Sequence, residues 1–247
     1  MIVREALLVT LVKLVERIPE PPTPTKRGRG RPKTYSDKLM VKAVVIMVIR
    51  RLYTAYSLLA FLEQETDLTV ALRALLHEQG RFPTRRTWER RLAALPETLP
   101  ALIACLGAYL IALIQPWGPD GRAAAVDSTP LRAKGGVWHK KHRQAGIVPH
   151  STIDTEAHWS KSGYHGWWYG WKLHLVATVA RVWIPLAAVL TPANEADNEV
   201  APHLLTALPT EVRYVLGDTQ YDDPALCTLC QRAQRFLITT RRGAYPH

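Results

Sequence analysis

Acids and cysteines are scarce in this chain, and each scarcity narrows what it can be. Three cysteines (Cys105, Cys227 and Cys230) in 247 residues are too few for a disulfide framework. That excludes the stapled secreted scaffolds and points to a reducing compartment, the cytoplasm. The 21 Asp and Glu face 32 Lys and Arg, a formal charge of +11, so a polyanionic partner is expected: nucleic acid first, an acidic membrane surface second. Beyond Asp223 there is no acid at all. Nor does Met1 lead into an unbroken apolar run with a small-residue cleavage site, because Arg4, Glu5, Lys13, Glu16 and Arg17 interrupt it; this argues against a secretory signal. No internal repeat is visible.

One stretch, Thr98 to Gly118, lacks charge of either sign. Pro100 ahead of it and Gln115, Pro116 and Gly118 behind it cut the run to near the lower limit of the about 20 residues that span a bilayer. It reads as a buried core helix rather than a membrane helix.

What is present supports a folded protein, since 47% of residues are hydrophobic and the length allows one sizeable core with a small accessory domain. Residues 2 to 18 carry Leu7, Leu11, Leu14, Val15 and Ile18 at helical spacing, and Pro19, Pro21, Pro22 and Pro24 then forbid continuation. Five of the eight residues from Lys26 to Lys33 are basic, and Arg29-Gly30-Arg31-Pro32 resembles an AT-hook, an extended arm that inserts Arg29 and Arg31 into a narrow minor groove. A solvated charge run at a domain boundary is the plainer alternative.

Ser36 is positioned to cap a helix through Leu39 to Ile49, Ser57 to cap one carrying Leu58, Leu59, Phe61 and Leu62, and a third is expected near Thr69 to His77. After the turn at Gly80 to Pro83, Trp88, Leu92 and Leu95 make one apolar stripe while Arg85, Arg86, Arg90 and Arg91 take the remaining surface. That is the pattern of a helix laid on DNA, or of an ordinary solvated basic helix.

After Gly121 the period changes. Strands are predicted at Ala123 to Asp127, Tyr169 to Val179, Trp183 to Leu190, Val212 to Gly217 and Phe236 to Thr240, with helices at about 197 to 208 and 222 to 234, a one-sheet α/β layout. Asp127 ends an apolar strand and Asp218 follows another, at the carboxyl ends where open sheets place their sites. Each Asp alone would read as a cap for the turn that follows. As a pair in a basic chain they suit a hard divalent ion, Mg²⁺ or Mn²⁺, held by carboxylates and substrate phosphates. Between the first two strands lie Arg132, Lys134, His139, Lys140, Lys141, His142 and Arg143, followed by Trp159, Tyr164, Trp167, Trp168 and Tyr169. This insertion suits DNA ends, by stacking and by cations along the backbone, or simple packing of its aromatics. His139 with His142, and Cys227 with Cys230, lack a second pair at zinc spacing.

Four motifs in order, Val126-Asp127-Ser128-Thr129-Pro130, Tyr169-Gly170-Trp171-Lys172-Leu173-His174-Leu175, Leu190-Thr191-Pro192-Ala193-Asn194 with Asp197 beyond, and Val215-Leu216-Gly217-Asp218-Thr219-Gln220-Tyr221-Asp222, resemble the insertion-sequence transposases with a ribonuclease-H-like DDE domain. The helical front half, with Tyr35-Ser36 and the Arg-rich helix, also looks like these proteins, so nearly the whole chain is covered. The resemblance implies Asp127 and Asp218 as the first two catalytic acids and metal ligands. It matches Lys172 and His174 to the family's second-strand Lys and His, as phosphate contacts or as solvent-facing residues.

The expected organisation is a helix and basic linker at 1–34, a helical DNA-binding domain at 35–118, and a ribonuclease-H-like mixed sheet with flanking helices at 119–247. The expected function is metal-dependent strand cleavage and transfer at the ends of an insertion element, on double-stranded DNA of terminal repeats and target, at the nucleoid, in an assembly for which a homodimer is one form. The family's third acid, a Glu on the helix after the fifth strand, has no counterpart after Phe236 to Thr240. The chain is therefore expected to be C-terminally truncated and inactive in transposition. The rival expectation is a DNA-binding protein without catalysis.

Overall fold

A computed structural model describes residues 3–19, 34–115, 122–180 and 182–241. The chain divides into two compact units, Met1–Cys105 and Leu106–His247. The predicted arm with Arg29 and Arg31 lies outside the described residues.

The first unit is helical: α1 (Val3–Leu14), α2 (Asp37–Arg50), α3 (Ala55–Leu62), α4 (Asp67–Leu75), α5 (Arg85–Ala94) and the beginning of α6 (Leu99–Ile114). Hydroxyl side chains start most of them. Ser36 accepts from the Leu39 amide, and Thr54, Thr66 and Thr84 accept from Ser57, Thr69 and Thr87, satisfying amides that have no partner inside the helix. Ser57 is therefore not the cap of its helix. It is the third residue, and its hydroxyl returns a bond to the Thr54 amide, a reciprocal arrangement that shifts the start forward. Leu8, Val12, Met40, Ile46, Leu58, Leu72 and Trp88 close one core. Because Leu8 and Val12 belong to it, α1 is part of this unit and not an appendage.

The second unit holds the rest of α6, then β1 (Ala123–Arg132), α7 (Lys140–Gln144), β2 (His158–Ser162), β3 (Gly166–Thr178), β4 (Pro185–Pro192), α8 (Asp197–Thr206), β5 (Tyr214–Gly217), α9 (Pro224–Arg232) and β6 (Phe236–Thr239). β3 pairs antiparallel with β1 along one edge, and its other edge is shared by β2 and then β4. β5 joins β1 in parallel and β6 joins β5 in parallel, as connections through helices require. Antiparallel β1, β3 and β4 followed by parallel β5 and β6 make the ribonuclease-H-like sheet.

One face of the sheet is covered by α8 and α9. Val200, Ala201, Leu204 and Leu205 of α8 share a core with Ala124, Val126, Val176 and Val215, joined by Leu226 and Cys230 of α9. Each fully buried Leu contributes about 1.5–3 kcal/mol. The buried Arg235 guanidinium donates to the carbonyls of Leu205 and Leu208, each at 2.7 Å, satisfying oxygens that the end of α8 leaves open.

α6 corrects an expectation. It is apolar all round but not buried all round: Leu102, Gly107 and Ile111 face inward, while Leu113 is 65% exposed and Tyr109 and Ile114 are also exposed. Gly107 permits the close approach, since a Cβ there would lie 2.4 Å from the Pro185 carbonyl oxygen. Among the described residues no single helix is long and apolar enough to cross a membrane.

Candidate active site

Asp127 does not end its strand; it is the fifth of ten residues in β1. What ends near it is the parallel pairing, whose last partners are Ala125 and Leu216. Two residues beyond that pair stand Asp127, still within β1, and Asp218, the first residue past β5, whose backbone stays extended. Side chains alternate along a strand, so the parallel register assigns both carboxylates to the face of Ala125 and Leu216, opposite buried Ala124, Val126 and Val215. Both Asp are exposed.

Each carboxylate has a local tether. Asp127 Oδ1 accepts from the Ser128 amide at 2.7 Å. Asp218 Oδ1 accepts from the Gln220 amide at 2.8 Å and starts the 3-10 turn Thr219–Tyr221. Asp218 is thus the cap it was read as in isolation, and it still presents its second oxygen.

That turn drops Tyr221 into the core. Its side chain lies over Gly217, where a Cβ would come within 2.9 Å of the Tyr221 Cβ and 3.0 Å of the ring, and only 1% of the residue is exposed. Its hydroxyl is buried and has no hydrogen-bond partner among the described residues. Burial first, and then the charges of Asp197, Asp127 and Asp218, hold the phenol well above its ordinary pKa of 10. It therefore stays protonated in the field of three carboxylates.

Beside these two Asp, residues from three of the four sequence motifs join in one network. Asp197, the first residue of α8, accepts from the Ser128 hydroxyl on Oδ2 at 3.0 Å and from Lys172 Nζ on Oδ1 at 2.9 Å. Lys172 Nζ also donates to the Glu195 carbonyl at 2.8 Å. His174 is fully buried; its Nε2 is 2.9 Å from Thr191 Oγ1 and its Nδ1 is 3.7 Å from Asp197 Oδ1. Burial depresses the His174 pKa, Lys172 adds to that, and Asp197 and Glu195 oppose it. Lys172 and His174 do share a strand face, but it is the face under α8. Neither is solvent-facing, because the helix that opens at Asp197 covers them. The available signal was Asp197 itself, an acid opening the helix directly after the strand that pairs with Lys172.

In the helical unit the Arg-rich helix divides. Arg85, Arg86 and Arg90 are exposed, with Arg85 ion-paired to Glu89 and lying over the Tyr56 ring. Arg91 turns inward, donating to the Tyr35 carbonyl at 2.9 Å and to Asp37. Its expected place on a DNA face is corrected: at 12% side-chain exposure it fastens α5 to the start of α2.

The insertion also divides. Trp168 and Tyr169 are buried, and Tyr169 donates to the Asp154 carbonyl at 2.6 Å, whereas Tyr164 and Trp167 project from the β2–β3 hairpin. Lys161 Nζ lies 5.6 Å from the centre of the Trp167 ring. Among the described residues no three His, Cys, Asp or Glu side chains gather closely enough to cage a metal by themselves. Two carboxylates on one sheet face, each two residues past the last β1–β5 pair, still fit an ion that takes hard oxygen donors and fills its remaining positions with water and phosphate oxygens.

Residues 118–244 match the family model described as a transposase DDE domain. No curated protein and no solved structure gives a significant match.

Proposed function

The chain belongs to the transposase DDE-domain family, whose model covers just over half of it, and we propose on that premise that it acts at the ends of an insertion element, cleaving and joining DNA strands. The family works on DNA with divalent metal ions. Here Asp127 and Asp218 are the proposed ligands. The observation that carries the reading is the parallel register of β1 and β5, which leaves an acid two residues past the last pair on both chain segments, Asp127 within β1 and Asp218 just after β5. Mg²⁺ or Mn²⁺ held there with substrate phosphate oxygens would activate an attacking oxygen and stabilise a leaving one. The chain's own contribution is to hold the two carboxylates at fixed places, through the Ser128 and Gln220 amides, on a rigid sheet. Such support matters because positioning within about 0.5 Å governs sites of this kind.

Duplex DNA is assigned to the exposed Arg85, Arg86 and Arg90 of α5, and the arm with Arg29 and Arg31 is retained as a second contact. Lys172 is withdrawn as a direct phosphate ligand, since Asp197 and Glu195 occupy it. Domain limits follow the two compact units, with the helical unit as the DNA-binding part.

The test is incubation of the purified chain with DNA carrying its element ends and Mg²⁺ or Mn²⁺. Metal-dependent nicking that disappears in Asp127→Asn and Asp218→Asn supports the reading. Tight, salt-sensitive binding with no nicking supports the second one, a DNA-binding protein without catalysis.

A further inference from the structure

We propose that Asp197 is the positioning residue of this site, acting on Asp127 through Ser128; the inference rests on the reading of Asp127 as a metal ligand. Three contacts in series carry it. Lys172 Nζ donates to Asp197 Oδ1, the Ser128 hydroxyl donates to Asp197 Oδ2, and the Ser128 amide donates to Asp127 Oδ1, at 2.9, 3.0 and 2.7 Å. The series crosses three elements, β3, α8 and β1, which sequence-local contacts cannot tie together.

Each link has a physical reason. Asp197 and Lys172 retain only 15% and 14% side-chain exposure, and a charge removed from water persists only when paired and hydrogen-bonded. With Lys172 on one oxygen and Ser128 on the other, Asp197 has little freedom to turn. Its place in the first turn of α8 adds the favourable end of the helix dipole. Ser128 sits directly opposite His174 in the β1–β3 register, so its side chain points to the α8 face while Asp127, one residue earlier, points to the other. Fixing Ser128 from below therefore fixes the peptide whose N–H holds Asp127 from above. One Asp127 oxygen is occupied by that amide and the other is left for an external partner.

This gives Asp197 a role distinct from ligation. A third metal ligand would lose its effect only through its own carboxylate. A positioning acid acts through Ser128, so removing the hydroxyl should reproduce the effect of removing the acid. Outer-shell partners of metal ligands commonly alter affinity by about 10–100-fold.

The experiment uses the full chain and two readouts: Mn²⁺ affinity by electron paramagnetic resonance, and hydrogen exchange of the Ser128 amide by NMR. Asp127→Asn should abolish Mn²⁺ binding. Ser128→Ala and Asp197→Ala should each weaken it roughly tenfold, and the double variant should be no weaker than the stronger single. Asp197→Asn, which can turn its amide oxygen to Lys172 and donate its N–H to the Ser128 hydroxyl oxygen, should lie close to the unaltered chain, and Ser128→Ala guards against a variant that fails to fold. Additive losses, or full Mn²⁺ affinity in Asp197→Ala and Ser128→Ala while Asp127→Asn abolishes it, would overturn the inference. If the unaltered chain binds no Mn²⁺, the metal reading fails, and amide exchange decides the positioning alone. Faster exchange at Ser128 in Asp197→Ala supports it, and unchanged exchange overturns it.

Discussion

Lys172 Nζ lies 2.9 Å from Asp197 Oδ1, joining the middle of β3 to the first turn of α8, with both side chains mostly withdrawn from water. A pair in this setting is expressed in stability more than in DNA affinity. Lys172→Met should destabilise the second unit by about 3 kcal/mol, the lower end for orphaning a buried charge, and leave the salt dependence of DNA binding unchanged. Denaturant titration and filter binding over a salt series measure the two quantities. A flattened salt slope at full stability would return Lys172 to the list of phosphate contacts.

Asp127 and Asp218 are exposed, and asparagine keeps the oxygen that each turns to a backbone amide. Asp127→Asn and Asp218→Asn should therefore move stability by no more than about 0.5 kcal/mol while removing metal-dependent nicking. Thermal melts beside a nicking assay check this, and a large loss of stability would mean that the carboxylates are structural.

The four arginines of α5 should separate into two classes. Arg86→Ala and Arg90→Ala are expected to flatten the slope of log K against log salt by about 0.9 per lost phosphate contact on duplex DNA. Arg91→Ala should instead lower the stability of the helical unit by about 1.5–3 kcal/mol, the range for hydrogen bonds to charged groups, since it unties Tyr35 and Asp37. Equal salt effects from all three would place Arg91 on the DNA in solution.

The β2–β3 hairpin should bind unpaired strands. Tyr164 is 92% exposed and Trp167 63%, and each stacked base is worth about 1–3 kcal/mol. Trp167→Ala and Tyr164→Ala should weaken binding to single-stranded oligonucleotides with little change for duplex, read by fluorescence anisotropy. Tyr169→Phe, by contrast, should act on stability, because its hydroxyl is spent on Asp154.

Acid should loosen the second unit through His174. Burial holds its folded pKa below the ordinary 6.5, so between the two values the unfolded chain binds the extra proton. The stability that neutral His174 contributes is complete above about pH 6.5 and is lost as pH falls toward the folded value. A fit of unfolding free energy between pH 7.5 and about 5 should show this slope. His174→Gln, which keeps a polar partner for Thr191, should reduce it; an unchanged slope would assign the acid sensitivity to another group.

Local chemistry determined much of this protein in advance. The Ser36 cap, the Trp88 and Leu95 stripe, the alternation of β3 and the placement of Asp127 within one strand and Asp218 just after another all follow from periods and caps that act over a few residues. The tertiary structure decided the rest, because it depends on partners far along the chain. β2 has no apolar alternation and becomes a strand because β3 offers it an edge. β1 continues through Pro130 to Arg132 because β3 pairs it throughout. Past Ala125 it lies at an edge among the described residues, and edges admit proline. Arg91 is spelled like its three neighbours and differs only because Asp37 is beside it in space. Lys172, His174 and Ser128 form one network, with His174 fully buried, because α8 covers their face. A sequence states which groups carry charge, but only long-range packing determines which of those charges water can still reach.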